Sequence, residues 1–284
     1  MSRDGGIPTR VGPYEIEGAV AQGALGPLVR AHIHESGEVV ALRLLKPVLA
    51  SDPVYIARLE RQLRMVRELD HPSLAVPIAW GMYGSTYAVV STFAHGQSLS
   101  SYPSDIPIEI ETAGVIIHDL ADALTTLHGA GLVHQSLNAD KVVIDTDGQA
   151  ILVGAGMVFA GAYSMLTTRF DQVMGDVNYL APEVIRGFEP GPASDIYSLA
   201  CVAFRCLAGS TPFEHLWLYE IALAHLERTP PRLAEVATDV PPAWAGAVDA
   251  ALEESPEARP DAREFGDAFA TPNNGGDSSI GIKR

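Results

Sequence analysis

Three short stretches in the second half of the chain decide its fold: NYLAPEV at 178–184, SDIYSLACVAFRCLAGSTPF at 194–213 and SPEARP at 255–260. The middle stretch has the apolar spacing of a helix. Its two cysteines, Cys201 and Cys206, are the only ones in the chain and lie five residues apart. An apolar helix is a poor place for a disulfide or a metal site, so we predict two buried free thiols and a reducing compartment.

Outward from this region, the chain divides into a β-rich first third and a helical remainder. Short strand patterns run from Tyr14 to about Val90, interrupted by a helical pattern in which Asp52 is the expected N-cap and Pro53 lies in the first turn. Helical patterns dominate after Gly96 and no repeat is present, which predicts an α+β domain with two unequal lobes. The predicted segments are a tail at 1–12, an N-lobe at 13–94, a C-lobe at 95–270 and a tail at 271–284.

Composition excludes several classes of function. Hydrophobic residues make up 47% of the 284 residues and charged residues 19%, so the chain can bury a large core. The net charge of −16 argues against binding nucleic acid, which requires clustered Lys and Arg. The N-terminus has no apolar signal core, and no run of about 18 apolar residues is present, so we expect no membrane span in this piece. It could still be the cytoplasmic part of an inner-membrane protein.

The order and spacing of the three opening stretches resemble a bacterial Hanks-type Ser/Thr protein kinase, over roughly Tyr14 to Phe269. The resemblance implies a bilobal protein-kinase-like fold in which Ala181-Pro182-Glu183 closes the activation segment. It also implies that Glu183 pairs with Arg259 inside the C-lobe. Asp195 is expected to hold the backbone of the catalytic loop.

In the N-lobe, the resemblance places unusual residues where active relatives bind ATP. The glycine-rich loop begins with Ala21 in place of its first glycine. Arg43 stands where relatives have a lysine, and Arg differs from Lys in shape and hydration. The helical carboxylate that should aim this cation falls on Gln62. We expect Glu60 to point away on the helix and Lys46 to face the other side of the strand.

In the C-lobe, the positions that align with catalytic and metal-binding residues are also changed. The aspartate that receives the hydroxyl proton becomes Ser136, the asparagine that binds magnesium becomes Lys141, and the magnesium aspartate becomes Gly154. Asp140 lies beside them in a variable position, and His134 is expected to pack under the loop. The resemblance therefore implies a pseudokinase: not an enzyme, with no catalytic, metal or cofactor residues and with neither ATP nor magnesium bound.

A kinase fold without catalysis can still accept phosphate and carry it to a partner. We expect a membrane Ser/Thr kinase to phosphorylate Thr271, with Thr168 and Thr167 as alternatives, and a forkhead-associated (FHA) protein, FhaA-like, to bind the phosphothreonine. The sequence is similar to the pseudokinase domains that mycobacteria attach to MviN/MurJ lipid-II flippases, which implies a role in peptidoglycan export and cell-wall synthesis. Two alternatives stay open. The first is a weak atypical kinase or nucleotide binder, and the second an unphosphorylated allosteric partner of an active kinase.

Overall fold

The computed structural model describes residues 7–157, 176–214 and 217–270. A six-stranded antiparallel sheet forms the N-terminal part, in the order β1-β2-β3-β4-β6-β5. Helix α2 begins at Pro53 and ends at Arg67, and the Asp52 carboxylate accepts hydrogen bonds from the backbone N–H groups of Val54 and Tyr55. The predicted N-cap is therefore confirmed. The elements of this part are β1 Arg10–Val11, β2 Tyr14–Ala21, β3 Leu28–Ile33, β4 Val39–Leu44, α1 Pro47–Ala50, α2 Pro53–Arg67, β5 Pro77–Tyr83 and β6 Thr86–Thr92.

The remainder is helical, apart from a small sheet in the order β7-β8-β9. Helix α5 lies at its centre and buries 13 of its 17 residues, including both free cysteines. This burial confirms the predicted thiols and raises the pKa of Cys206 to about 12. The elements are β7 Gln97–Ser98, α3 Ile110–Gly129, β8 Val142–Ile144, β9 Ala150–Leu152, α4 Pro182–Ile185, α5 Pro192–Ala208, α6 Leu218–Glu227, α7 Leu233–Val236, α8 Pro242–Ala251 and α9 Ala262–Asp267, with short 3-10 turns at Leu99–Ser101, Ala139–Lys141, Val177–Tyr179 and Pro256–Ala258.

The core is continuous across the junction between the two parts. Val66 at the end of α2 and Leu74 after it belong to the same buried cluster as helices α3 and α5. The backbone N–H of Ala75 donates to the carbonyl of Leu152 at 2.9 Å, and the N–H of Leu152 donates to the carbonyl of Ser73 at 2.9 Å. These contacts fix the base of the N-terminal sheet against β9. The region bordered by β4, α2 and the segment that follows β9 is called the cleft from here on. No helix within the described ranges has the length and apolarity needed to cross a bilayer.

Candidate functional site

The roof of the cleft is the turn between β2 and β3, which lies over the side chain of Arg43 on β4. Arg43 Nη1 donates to the carbonyl oxygen of Gly26 at 2.8 Å. A Cβ atom added at Gly23 would lie 3.3 Å from the same nitrogen, so this turn approaches the guanidinium closely. Gly26 has a φ of +129°, and a Cβ there would collide with the carbonyl of Leu44. The backbone geometry at position 26 thus requires a glycine.

The same turn is anchored from below by an apolar side chain. Leu25 is only 6% exposed and joins a buried cluster that includes Tyr55 and Leu59 of α2. Burial lowers the pKa of Arg43, and the nearby Tyr55 phenol acts in the opposite direction. Arg43 is therefore a largely desolvated cation, held between the turn and the first turn of helix α2.

Helix α2 also lies close to the segment after β9. A Cβ at Gly156 would be 3.0 Å from Val66 Cγ2 and 3.6 Å from the carbonyl carbon of Gln62. Gln62 is half-buried at this contact. Glu60 lies on another face, where its Oε1 accepts a hydrogen bond from the hydroxyl of Tyr87 at 2.9 Å. The carboxylate of Glu60 is therefore engaged by Tyr87, and no hydrogen bond joins it to Arg43 among the described residues.

The floor of the cleft is the loop 134–141, and its backbone is fixed by the buried carboxylate of Asp195. The N–H of His134 donates to Asp195 Oδ2 at 2.7 Å, and the N–H of Gln135 donates to Oδ1 at 2.8 Å. His128 Nε2 lies 3.0 Å from Oδ2. Gln135 has a φ of +69°, a left-handed conformation that a non-glycine residue adopts only when its surroundings hold it there.

His134 is part of this support. It is 1% exposed, and its Nε2 lies 3.2 Å from the carbonyl oxygen of Val153, at the end of β9. Burial lowers the pKa of His134, although the Asp195 charge opposes that effect. The ring therefore ties the loop to the strand behind it.

The side chain of Lys141 lies beside Gly154 on the floor of the cleft. Lys141 Cδ and Cε lie 3.6 Å and 3.9 Å from the position that a Cβ at Gly154 would take. Burial and the charge of Arg43 lower the pKa of Lys141 to about 8, and Asp140 acts in the opposite direction. Ser136 is buried with 6% exposure on the same loop. Arg43 and Lys141 are thus two part-buried basic groups that border the cleft, and the charge of Arg43 lowers the pKa of Lys141.

Below the loop, Glu183 and Arg259 form the expected ion pair. Arg259 Nη1 and Nη2 donate to the two carboxylate oxygens at 2.8 Å and 2.9 Å. The Ser194 hydroxyl donates to Glu183 Oε1 at 2.6 Å. Burial alone would raise the pKa of Glu183, but these partners hold the pKa below its usual value.

The remaining predicted residues are placed as follows. Ala21 is exposed at the end of β2 and pairs with Leu28. Thr271, Thr168 and Thr167 lie outside the described residues. Sequence reasoning missed the roles of His128 and Leu25. His128 follows the helical register that faces α5, but nothing in its local sequence specifies Asp195 as its partner.

Comparisons with known proteins agree with this architecture. The model of the family described as "Protein kinase domain" matches residues 14–267. Two Ser/Thr protein kinases of Mycobacterium tuberculosis are similar in sequence: PknE at 28% identity over 91% of this chain and 45% of its own length, and PknA at 29% over 88% and 59%. The chain therefore spans about half the length of these curated relatives. The crystal structure of the M. tuberculosis PknI kinase domain has a TM-score of 0.69 at 21% identity, covering 92% of this chain and 96% of that one, which shows the fold.

These findings correct two expectations. The predictions that the chain is not an enzyme, and that it uses neither ATP nor magnesium, are wrong: the family model is that of a protein kinase domain, and the similar proteins are named Ser/Thr kinases. Kinases of this family normally use ATP and magnesium.

The residues of the cleft fit these two ligands, ATP and magnesium, differently. Arg43 and Lys141 suit phosphate, whereas Lys141 and Gly154 supply no carboxylate for magnesium, and the described residues contain no group of three His, Cys, Asp or Glu side chains suited to a metal.

Proposed function

The chain belongs to the protein kinase domain family, and on this premise we propose that its cleft binds a nucleoside triphosphate and supports slow, atypical phosphoryl transfer to a Ser or Thr hydroxyl. The observation that carries the proposal is the position of Arg43 beneath the glycine-containing turn. Its Nη1 is used by Gly26, and a guanidinium has four further N–H donors. A desolvated guanidinium with such donors is suited to phosphate oxygens.

The transfer is proposed to be slow because of the loop 134–141. Phosphoryl transfer depends mainly on positioning and on neutralisation of charge, with little covalent work for the protein. The Ser136 hydroxyl is no base near pH 7, and the one carboxylate in this loop is that of Asp140. Asp140 is exposed, and its backbone N–H donates to Asn138 Oδ1 at 2.9 Å, which fixes its position in the turn. We assign it the role of orienting the acceptor hydroxyl.

Two measurements on the full chain test this function. ATP, with and without magnesium, should raise the melting temperature of the protein, and Arg43→Met should reduce the rise strongly. Arg30→Met is the matched control, because Arg30 lies on the neighbouring strand and is paired with Glu17 at 2.6 Å on the surface. Labelled phosphate should then appear on a generic Ser/Thr protein substrate, and Asp140→Asn should abolish it. No thermal shift under either condition would contradict the proposal.

We further propose that the domain belongs to a larger membrane-attached protein of the MviN/MurJ type and is itself a phosphate acceptor that regulates peptidoglycan precursor export. Its proposed partners are a membrane Ser/Thr kinase and an FHA protein of the FhaA type, with Thr271 as the acceptor and Thr168 or Thr167 as alternatives. The end of the described chain favours Thr271. Phe269 is 2% exposed and its ring centroid lies 5.0 Å from that of Trp244, and Ala270, the last described residue, is exposed.

The partner proposal is tested by an FHA pull-down after incubation with a membrane Ser/Thr kinase and ATP. Capture should require phosphorylation and should be lost in Thr271→Ala. Retained capture in that variant would move the acceptor to Thr168 or Thr167. If mass mapping finds no phosphate on Thr271 or in residues 164–178, the chain instead acts as an unphosphorylated allosteric partner.

A further inference from the structure

We propose that this cleft binds the phosphates of the nucleotide without a divalent metal ion, because the Lys141 ammonium supplies the positive charge on the floor of the cleft. The inference rests on the proposed nucleotide binding and specifies its chemistry: the ligand is the free triphosphate anion. The magnesium complex is the weaker ligand.

The first support is the packing of the Lys141 side chain. Lys141 ends the 3-10 turn Ala139–Lys141, and the N–H of Val153 donates to its carbonyl at 2.9 Å, so the backbone of the residue is held on both sides. The aliphatic stem then lies against Gly154, which has a φ of +90° and no side chain. The distances of 3.6 Å and 3.9 Å from a Cβ placed at Gly154 mean that the Lys141 stem borders the space into which a carboxylate side chain at 154 would project. Packing against Gly154 thereby restricts the stem that carries the amine.

The second support is the balance of charge around the amine. Across the described ranges, the Lys141 amine makes no ion pair. The charged groups that act on it are Arg43, which repels it, and Asp140, which is exposed and attracts it. The charge of Arg43 disfavours the charged form of Lys141, and an anion that neutralises both groups relieves this effect.

The third support is the choice between anion and metal. A divalent cation placed beside an ammonium and a guanidinium is repelled by both, and the repulsion is strong where water is excluded. A triphosphate has several oxygens along its length, so one end can contact Arg43 while the other contacts Lys141. The same arrangement therefore attracts the free nucleotide and disfavours its magnesium complex.

The test is isothermal titration of the full chain with ATP, once in EDTA and once with excess Mg²⁺. We expect the wild type to bind ATP more tightly in EDTA. Lys141→Met should weaken binding in EDTA by about 10- to 100-fold, since a hydrogen bond to a charged group is lost. Lys46→Met is the matched control and should bind as the wild type does, because Lys46 is exposed beyond the end of β4.

A second variant separates a missing charge from a damaged fold. Lys141→Asn keeps a polar side chain and removes the ammonium, so its affinity in EDTA should fall while Mg²⁺ no longer weakens binding. Circular dichroism on each variant verifies folding. If the wild type binds ATP only with Mg²⁺, or if both Lys141 variants bind ATP in EDTA as tightly as the wild type does, the inference is overturned while the proposed nucleotide binding stands. If ATP binds under neither condition, the proposed function itself fails.

Discussion

Substitution of Arg259 by methionine should destabilise the C-terminal part more than any single surface change. The Arg259 side chain has no exposed area, and besides the two bonds to Glu183 it donates to the backbone carbonyls of Glu253, Ala193 and Glu254 at 2.8 to 2.9 Å. Methionine fills much of the space but makes none of these five hydrogen bonds. Glu183 would be left as a nearly buried carboxylate with the Ser194 hydroxyl as its remaining side-chain partner.

The size of the loss follows from which partner is removed. Breaking a buried ion pair from one side costs about 3–5 kcal/mol, because the other charge stays buried without compensation. We expect the free energy of unfolding to fall by about 4 kcal/mol, measured by urea unfolding followed by tryptophan fluorescence. Arg186→Met is the matched control. Its pair with Glu254 is 2.6 Å long, but the two side chains are 39% and 67% exposed, so its loss should cost at most about 1 kcal/mol.

The pH dependence provides an independent check on the same reasoning. The pKa of Glu183 is lowered in the folded protein, so its contribution to stability is present above the usual carboxyl pKa and is lost as the pH falls. Without Arg259, burial raises the pKa of Glu183, and protonation at low pH relieves the penalty. The difference between wild type and Arg259→Met should therefore shrink between pH 7 and pH 4. A loss below about 1.5 kcal/mol at pH 7, or a difference that grows on acidification, would refute a dominant role for the buried pair.

Three further predictions concern a glycine, a histidine and an aspartate. Gly26→Ala should lower the free energy of unfolding by about 3 kcal/mol or more, because its Cβ would collide with the Leu44 carbonyl. The control Gly37→Ala, with φ +71° and open space around it, should lower it by about 1 kcal/mol. Equal losses in thermal or urea unfolding would contradict the steric argument. Burial lowers the pKa of His225 to about 4, so the unfolded chain takes up the proton first and stability should fall by about 3 kcal/mol from pH 6.5 to pH 4. His225→Gln should reduce that dependence in urea titrations at each pH, and an unchanged slope would assign it to other groups. Asp195→Asn should cost about 3 kcal/mol and accelerate hydrogen exchange at the amides of His134 and Gln135, and unchanged exchange would show that the loop is held elsewhere.

The features that sequence predicted well are those with a local physical signal. Asp52 and Pro53 mark the start of α2 because capping and the missing proline N–H act within one turn. The direction of Glu60 follows from helical spacing alone. The burial of Cys201 and Cys206 follows from an apolar surrounding sequence. Each of these can be read within a window of a few residues.

The features that sequence could not provide depend on contacts between distant segments. Leu25 is buried because α2 lies beneath the turn, and no property of residues 21–28 requires this. The stem of Lys141 lies against Gly154 because β8 and β9 pair in one register, with Val142 opposite Leu152. The coupling of Lys141 to Arg43 joins two parts of the chain about a hundred residues apart. A family pattern identifies the changed residues one at a time and carries no information on the electrostatic effect of Arg43 on Lys141.

The same interaction gives two of the changed positions a chemical role of their own. Each substitution removes a group that active relatives use, but Arg43 and Lys141 together change which ligand the cleft attracts. The contacts that hold the fold, around Asp195 and between Glu183 and Arg259, lie below the cleft and involve neither Arg43 nor Lys141. Substituting Lys141 should therefore leave the fold intact and remove the effect of the Arg43 charge on it, whereas Arg43 also donates to the Gly26 carbonyl. A Lys141→Met variant that melts at or above the wild-type temperature, yet loses affinity for ATP, would show that the Lys141 ammonium serves a ligand and contributes nothing to the stability of the scaffold.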